Sequence, residues 1–430
     1  MKQAEQFDVI VMGGGPGGSS TATFLAQKGH RVLLLEKERF PRFHIGESLL
    51  PALWDIWDKL GVTSELEAKG FVVKQGVNFA MFNSPQDIAL LTGEYPEYFQ
   101  RPYAYHVDRA SFDEILLNHA RRTGVEVREE WTVQDVLFEG SRAVGVSAGP
   151  NGQAARPIRS SIVVDATGRS SLISRKLGWH KRDPQLSKVA YFTHFKGARR
   201  QETIEILKDP VLCQDGTYMT DIHTIDAGWI WYIPLTDDIV SVGAVVDLKH
   251  DFGAPDPQTR FNRAIESCSR IRDWVGSSQQ MIEMQAISNI SYLSDSFVGD
   301  GFVMVGDASM FVDPIFSAGV TIAMRGGMFA AEAIHEAFAA GDFSAARLKP
   351  YELKIRHPMG RIFKMIYNWY HILQNKDVGN IFAMSQQMPL LRERLIVLLS
   401  GGYDKVDMEA ILKATEGQMD RLTPGTGKMV

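Results

Sequence analysis

The chain has little cysteine: two residues in 430, Cys213 and Cys268. A pair so widely spaced offers neither a disulfide framework nor metal-ligand spacing. That argues against a stapled secreted scaffold and a zinc module, and it points to a reducing, cytoplasmic setting. Long hydrophobic runs are missing as well. Nothing approaches the ~18 consecutive apolar residues of a bilayer-spanning helix, and the few polar residues before the first apolar segment leave no room for a signal peptide. No block of one charge stands out. The 46 Lys and Arg against 51 Asp and Glu leave a net charge of −5, with no basic tract for a nucleic acid to settle on. Internal repeats and low-complexity tracts are absent. What remains is a globular chain, 45% hydrophobic and long enough for roughly two or three domains.

Glycine is plentiful, with 38 residues, and three glycine-centred segments close apolar runs. Phe7-Asp8-Val9-Ile10-Val11-Met12 reads as a buried strand, and Gly13-Gly14-Gly15-Pro16-Gly17-Gly18 follows at once. In that spacing Gly13 permits the tight turn, Gly15 lets the backbone approach a pyrophosphate, and Gly18 lets the next helix pack close. That helix, predicted to about Lys28, aims its first N–H groups at the phosphates. Arg31-Val32-Leu33-Leu34-Leu35 is a second strand, and it ends in Glu36, a carboxylate placed to accept ribose hydroxyls. A glycine-rich turn alone is common; strand, helix, strand and acid in order make this a dinucleotide site. Ser161-Ile162-Val163-Val164-Asp165 is a further buried strand closed by Ala166-Thr167-Gly168. Gly301-Phe302-Val303-Met304-Val305 is another, closed by Gly306-Asp307.

With these three motifs in this order, the chain resembles the large FAD-dependent family of aromatic hydroxylases, geranylgeranyl reductases and flavin-dependent halogenases. The resemblance implies FAD as cofactor, with the Asp307 carboxylate at the ribityl chain. One more stretch separates the branches. In Gly228-Trp229-Ile230-Trp231-Tyr232-Ile233-Pro234, strand alternation puts Trp229, Trp231 and Ile233 on one face and Ile230 and Tyr232 on the other. An aromatic half-buried strand would also read this way, but Gly-Trp-x-Trp-x-Ile-Pro resembles the signature of the halogenases, which the wider family does not share. Three further segments agree. Arg42-Phe43-His44-Ile45-Gly46-Glu47-Ser48-Leu49 resembles their second flavin loop, and Phe71-Val72-Val73-Lys74-Gln75-Gly76 the segment with their essential lysine. Phe311-Val312-Asp313-Pro314-Ile315-Phe316-Ser317-Ala318-Gly319-Val320 resembles their halide turn. The nearest branch is that of phenol and pyrrole halogenases.

The resemblance implies a site residue by residue. Cofactor contacts fall on Gly13, Gly15, Gly18, Glu36, Lys37, Ser48, Arg109, Asp165, Gly168, Asp307, Pro314 and Gly319, and halide binding on Ser317, Gly319 and Val320. Lys74 relays hypohalous acid, either as a hydrogen-bond donor or as a chloramine, and Trp229 and Trp231 form a spacer between flavin and substrate. Reduced FAD is supplied by a partner flavin reductase, chloride or bromide is the co-substrate, and no metal is expected. The halogen acceptor is an electron-rich phenol or pyrrole, free or tethered to a carrier protein. One position departs from the pattern: Phe316 stands where tryptophan halogenases carry Glu, which argues against tryptophan as substrate. His44, His106 and His194 are candidate bases.

The expected fold class is α/β: a Rossmann-like FAD-binding domain with an inserted mixed-sheet substrate layer and a C-terminal helical region. The FAD domain is assigned to residues 1–75, 106–180 and 297–345, the substrate layer to 76–105 and 181–296, and the helical region to 346–430. Within the last, Ile362, Met365, Ile366, Trp369, Tyr370 and Leu373 fall at helical spacing on one face; nearby Arg356, Arg361 and Lys364 read either as a solvated basic face with no partner or as one that steers an acidic carrier. Two rival readings remain, an aromatic hydroxylase and a double-bond-reducing flavoprotein.

Overall fold

The structure is a computed structural model that describes residues 5–81, 87–199, 218–375, 385 and 388–406. It divides into two units: Met1–Val72, Tyr105–Ser187 and Asn289–His357 form the first, and Val73–Ala104, Lys188–Ser288 and Pro358–Val430 the second.

The first unit is built on a mainly parallel sheet. Its strands run in the order Phe302–Met304, Arg156–Asp165, Gln6–Met12, Val32–Leu35 and Glu126–Arg128. Val9, Ile10 and Val11 are wholly buried, as are Val163 and Val164 beside them. Such continuous apolar runs are what a parallel strand covered on both faces requires. The hairpin of Trp131–Glu139 and Arg142–Pro150 extends antiparallel from Arg156–Asp165. The helices of this unit include Pro16–Gln27, Arg109–Arg122 and Gly319–Ala340. Asp108 caps Arg109–Arg122 by accepting from the N–H groups of Ala110 and Ser111.

The second unit is a mixed sheet in the order Gln279–Gln280, Lys188–Lys196, Ile239–Asp247, Gly228–Pro234, Tyr218–Ile225, Val72–Ala80 and Ile88–Leu91. Along this order the pairings are antiparallel except between Tyr218–Ile225 and Val72–Ala80, which is parallel. One face carries Ile230, Tyr232, Val242, Ala244 and Val246 and is packed by Phe261, Ala264 and Ile271 from the helices Pro257–Glu266 and Ser269–Val275. The apolar stripe falls in the helix Ala345–Asn375, where Ile362, Ile366, Trp369 and Tyr370 are buried; the side chain of Leu373 lies outside the described residues. Arg392, in the helix Pro389–Leu399, donates to both carboxylate oxygens of Glu94 and to the Ala89 carbonyl. Among the described residues, no helix is long and apolar enough to cross a membrane. Cys268 is a free, half-buried thiol, and Cys213 lies outside the described residues.

Candidate active site

Parallel pairing aligns the carboxyl ends of four strands of the first unit. Met12 stands opposite both Leu35 and Asp165, and Met304 opposite Asp165. The segments that follow these strands, with Gly13, Glu36, Ala166 and Gly306, therefore meet at one edge, the place where open parallel sheets bind ligands. Gly13 has φ +101°, and a Cβ there would lie 2.4 Å from the Ala166 carbonyl oxygen; a Cβ on Gly18 would lie 1.9 Å from the Gly13 oxygen. No side chain fits at either position. A Cβ on Gly15 would meet nothing nearer than Arg42 Nη2 at 3.7 Å, so the loop is open on the side a phosphate would approach. The helix Pro16–Gln27 has no acidic residue in its first turn and no side-chain cap, which leaves its N-terminal field available to an anion.

Glu36 is buried. Its Oε2 accepts from the Gly14 N–H at 2.6 Å and its Oε1 from the Glu38 N–H at 2.9 Å, so it also fixes the glycine loop. Lys37 is exposed, with its carbonyl accepting from Asn151 Nδ2. Asp165 is consumed by its own turn: Oδ1 accepts from the N–H and hydroxyl of Thr167, and Oδ2 from the Ile173 N–H. Gly168 follows at φ +59°. Burial pushes the Asp307 carboxyl up to about 6, against the pull of the Arg169 and Arg109 charges.

Arg109 is committed to a clamp. Its Nε and Nη2 bind both oxygens of Asp113, at 2.8 and 2.9 Å, and its Nη1 donates to the carbonyls of Ile45 and Gly46. Arg42 reaches the same Asp113 at 2.9 Å and lies over the Phe40 ring. Burial works against the Asp113 charge, but the two guanidiniums hold its carboxyl below the usual carboxylate range. The clamp ties the 42–48 loop to the helix and leaves Arg42 beside Gly15. Arg42 and Asp113 were not singled out from the sequence, although Arg109 and Asp113 stand four apart on a helix, where an ion pair is expected.

The turn expected to bind halide is compact. Asp313 caps the short helix Pro314–Phe316 through the Ile315 N–H, Ser317 takes φ +53°, and the helix Gly319–Ala340 starts two residues later with neither a side-chain cap nor an acid in its first turn. Ser317 Oγ donates to Ser48 Oγ at 3.1 Å, so the two serines predicted from separate motifs meet. Phe316 and Val320 are buried. Of the candidate bases, His106 is wholly buried, His194 half-buried and His44 exposed, with its Nδ1 at the Ile45 carbonyl.

In the second unit the register decides where Lys74 points. Lys74 pairs with Tyr218 and Gly76 with Met219, so Gln75 is an extra residue, a β-bulge. Thr220, Ile222 and Thr224 share the face of Tyr218, and Ile222 and Thr224 stand opposite Trp231 and Trp229. The bulge thus turns Lys74 to the tryptophan face; without it, alternation would put Lys74 with Asn78 on the helix-packed side. Lys74 is 5% exposed, and burial pushes its ammonium down to about 7. Trp229 donates its indole N–H to the Tyr370 hydroxyl at 2.9 Å, and Trp231 donates to Ser241 Oγ at 3.1 Å. A Cβ on Gly243 would lie 2.2 Å from the Trp231 ring, so the missing side chain is what lets that indole lie across its neighbour strand. Trp369 packs on Phe79 at 5.3 Å between centroids, and Lys188 Nζ lies 4.3 Å over the Tyr370 ring. Arg356 is spent on Glu352 and on the carbonyls of Ser294 and Asp295, so it is no open steering charge; Lys364 is exposed, and the side chain of Arg361 lies outside the described residues.

The family described as tryptophan halogenase matches residues 8–94 and 95–390, nearly the whole chain. The chain belongs to the flavin-dependent halogenases. This halogenase is 32% identical to the 1H-pyrrole-2-carbonyl-[peptidyl-carrier protein] chlorinase of Pseudomonas fluorescens, over 95% of this chain and 92% of that one. It is 31% identical to a tryptophan 2-halogenase of Chondromyces crocatus, over 94% of this chain and 74% of that protein. It superposes on the flavin-dependent brominase Bmp2 with a TM-score of 0.83 at 28% identity, covering 97% of this chain and all of that one. The hydroxylase and reductase readings are thereby set aside: the enzyme is a flavin-dependent halogenase on an α/β Rossmann-like frame.

Proposed function

We propose that this halogenase uses reduced FAD, O2 and chloride or bromide to halogenate an electron-rich phenol or pyrrole, with Lys74 handing on the halogen. The observation that carries the reading is the bulge at Gln75, which presents a buried, low-pKa lysine on the same sheet face as Trp229 and Trp231.

The residues fit FAD. The open side of Gly15, the unclaimed first turn of Pro16–Gln27 and the guanidinium of Arg42 suit the pyrophosphate. Glu36 suits the adenosine ribose, and Asp307 the ribityl chain. Asp165 shapes its turn for the cofactor rather than touching it, because its oxygens are taken by backbone and Thr167. Ser48, Arg109, Gly168 and Pro314 complete the contacts, with Lys37 at the rim. Bound reduced flavin, with O2, supplies the oxidising equivalent that converts halide to hypohalous acid. The first-turn N–H groups of Gly319 and Val320, next to Ser317, hold the halide ion.

Lys74 then acts. Its neutral amine takes chlorine from hypochlorous acid: an N–Cl bond forms, the O–Cl bond breaks, and water leaves. The aromatic carbon attacks that chlorine, the N–Cl bond breaks, and the ring proton returns to the nitrogen. A pKa near 7 keeps the neutral amine populated at neutral pH. Trp229 and Trp231 keep bulk solvent and the acceptor ring away from the oxidant. The similarity to a pyrrole-carrier chlorinase supports a carrier-tethered substrate, and a separate flavin reductase, working in the cytoplasm, supplies the reduced cofactor.

Turnover with chemically reduced FAD, O2 and chloride on phenolic and pyrrole substrates, read by mass spectrometry, tests the reading. A product one chlorine heavier is expected; a hydroxylated product alone would remove it.

A further inference from the structure

The helix-packed face of the second unit's sheet carries a buried polar group that the halogenase chemistry does not use. Asn78 and Asp221 stand opposite one another on adjacent strands, both with no exposure. Asn78 Nδ2 donates to Asp221 Oδ1 at 2.8 Å and to Asp87 Oδ2 at 3.2 Å. Both amide hydrogens therefore face carboxyl groups, and Asp87, ion-paired with Arg270, fixes the amide's orientation, since reversal would aim its oxygen at that carboxylate. Two atoms of the pair are left, Asn78 Oδ1 and Asp221 Oδ2, each buried and without a hydrogen-bond partner among the described residues. Two acceptors cannot satisfy each other. A proton on Asp221 Oδ2 would make that atom a donor.

We propose that Asp221 is held as a neutral carboxylic acid, its Oδ2–H donating to Asn78 Oδ1 to close an acid–amide ring that pins the lysine strand in register with the strand paired to the tryptophans. Asn78 lies four residues beyond Lys74, and side chains alternate along the strand. A slip of one residue would return Lys74 to the wrong face, so Asp221 and Asn78 are positioning residues for Lys74. This second part rests on the proposed role of Lys74; the protonation of Asp221 does not.

The surroundings agree. Burial raises Asp221 to about 8, with the Asn78 bond and Arg270 opposing and Asp87 reinforcing the rise. Arg270, on the helix Ser269–Val275, is paired with Asp87. His223, on the same strand as Asp221, is pushed by burial down to about 3 and stays neutral, with Cys268 Sγ 3.8 Å from its Nδ1. Tyr232, opposite Asp221, has its phenol pushed up by burial.

The test combines infrared spectroscopy, unfolding against pH, and product yield. At pH 6 the wild type should show the carbonyl band of a buried protonated carboxyl that D221N lacks. Asp221 keeps its proton to about 8 when folded and loses it near ~3.9 when unfolded, so unfolding releases a proton between these values. Its contribution is full below ~4 and is lost as pH climbs to about 8. The slope of unfolding free energy against pH should accordingly differ by one proton between wild type and D221N. In D221N the introduced amide can still donate to Asn78 Oδ1, so fold and halogenated product should persist. N78L cannot close the ring, and should keep flavin binding while losing product. Superimposable infrared spectra and pH profiles for wild type and D221N would overturn the neutral acid. A fully active N78L would overturn the register role. Full activity in K74A would instead remove the Lys74 reading and leave the ring standing.

Discussion

At the scale of single residues the proposal turns on an amine that burial has brought to about 7. Lys74→Ala should leave FAD affinity unchanged and lower halogenated product at least tenfold, about 1.4 kcal/mol in the barrier; a variant keeping more than a tenth of the activity would exclude the relay. The same pKa gives a signed pH dependence. If the neutral amine accepts the halogen, product per hypohalous acid formed rises as pH climbs through about 7 and then levels. A yield that falls through that range would assign the role to the ammonium as a hydrogen-bond donor. The carboxylates show how one residue type is put to different uses by its neighbours. Asp165 is spent on its own turn, Asp113 clamps two arginines, and burial raises Asp307 to about 6.

At the scale of elements, what matters is which face a strand presents. Gly243 exists to admit the Trp231 ring, so Gly243→Ala should displace that indole. A stability loss of roughly 1–3 kcal/mol is expected, with a shift in tryptophan emission, measured by urea unfolding followed by fluorescence. An unchanged spectrum and midpoint would mean the ring has room elsewhere. The alternation of Trp229, Trp231 and Ile233 was readable from the sequence because period two is local, and the glycine motifs were readable because backbone geometry dictates them. The bulge at Gln75 was not read, though Gly76 inside an apolar run is the kind of residue that marks one. The register depends on the pairing of Lys74 with Tyr218, 144 positions away in the chain (218 − 74), and no local pattern carries that. Arg42 escaped for the same reason: its value comes from lying beside Gly15 and sharing Asp113 with Arg109, which only the folded loop reveals. Tyr370 was legible as part of an apolar stripe, but not as the acceptor of the Trp229 N–H.

At the scale of the whole molecule, the question is what must be delivered to it. As proposed, flavin reduction is carried out by a separate protein. Purified enzyme should therefore bind FAD without a covalent link and resist bleaching by NADPH, followed at the flavin absorbance. Rapid bleaching accelerated by an aromatic compound would place the reductase activity in this chain. The acceptor ring is constrained from two sides. Phe316 is buried and brings no carboxylate to the turn proposed to hold halide; under the proposed function the substrate then stabilises its own charge, as a phenol or pyrrole does through its heteroatom. The basic face first read from residues 356–364 is depleted, since Arg356 is neutralised by Glu352, and long-range steering of an acidic carrier by this segment should be weak. Recognition of a carrier then has to come from short-range contacts, and its effect should survive raised salt, because screening removes only the long-range part. A pyrrole or phenol acyl group tethered to a carrier should be chlorinated faster than the free acid at both low and high ionic strength, and free tryptophan should not be turned over. Equal rates for free and tethered acid would remove the carrier, and efficient chlorination of tryptophan would show that the carboxylate missing at Phe316 is supplied from elsewhere in the site.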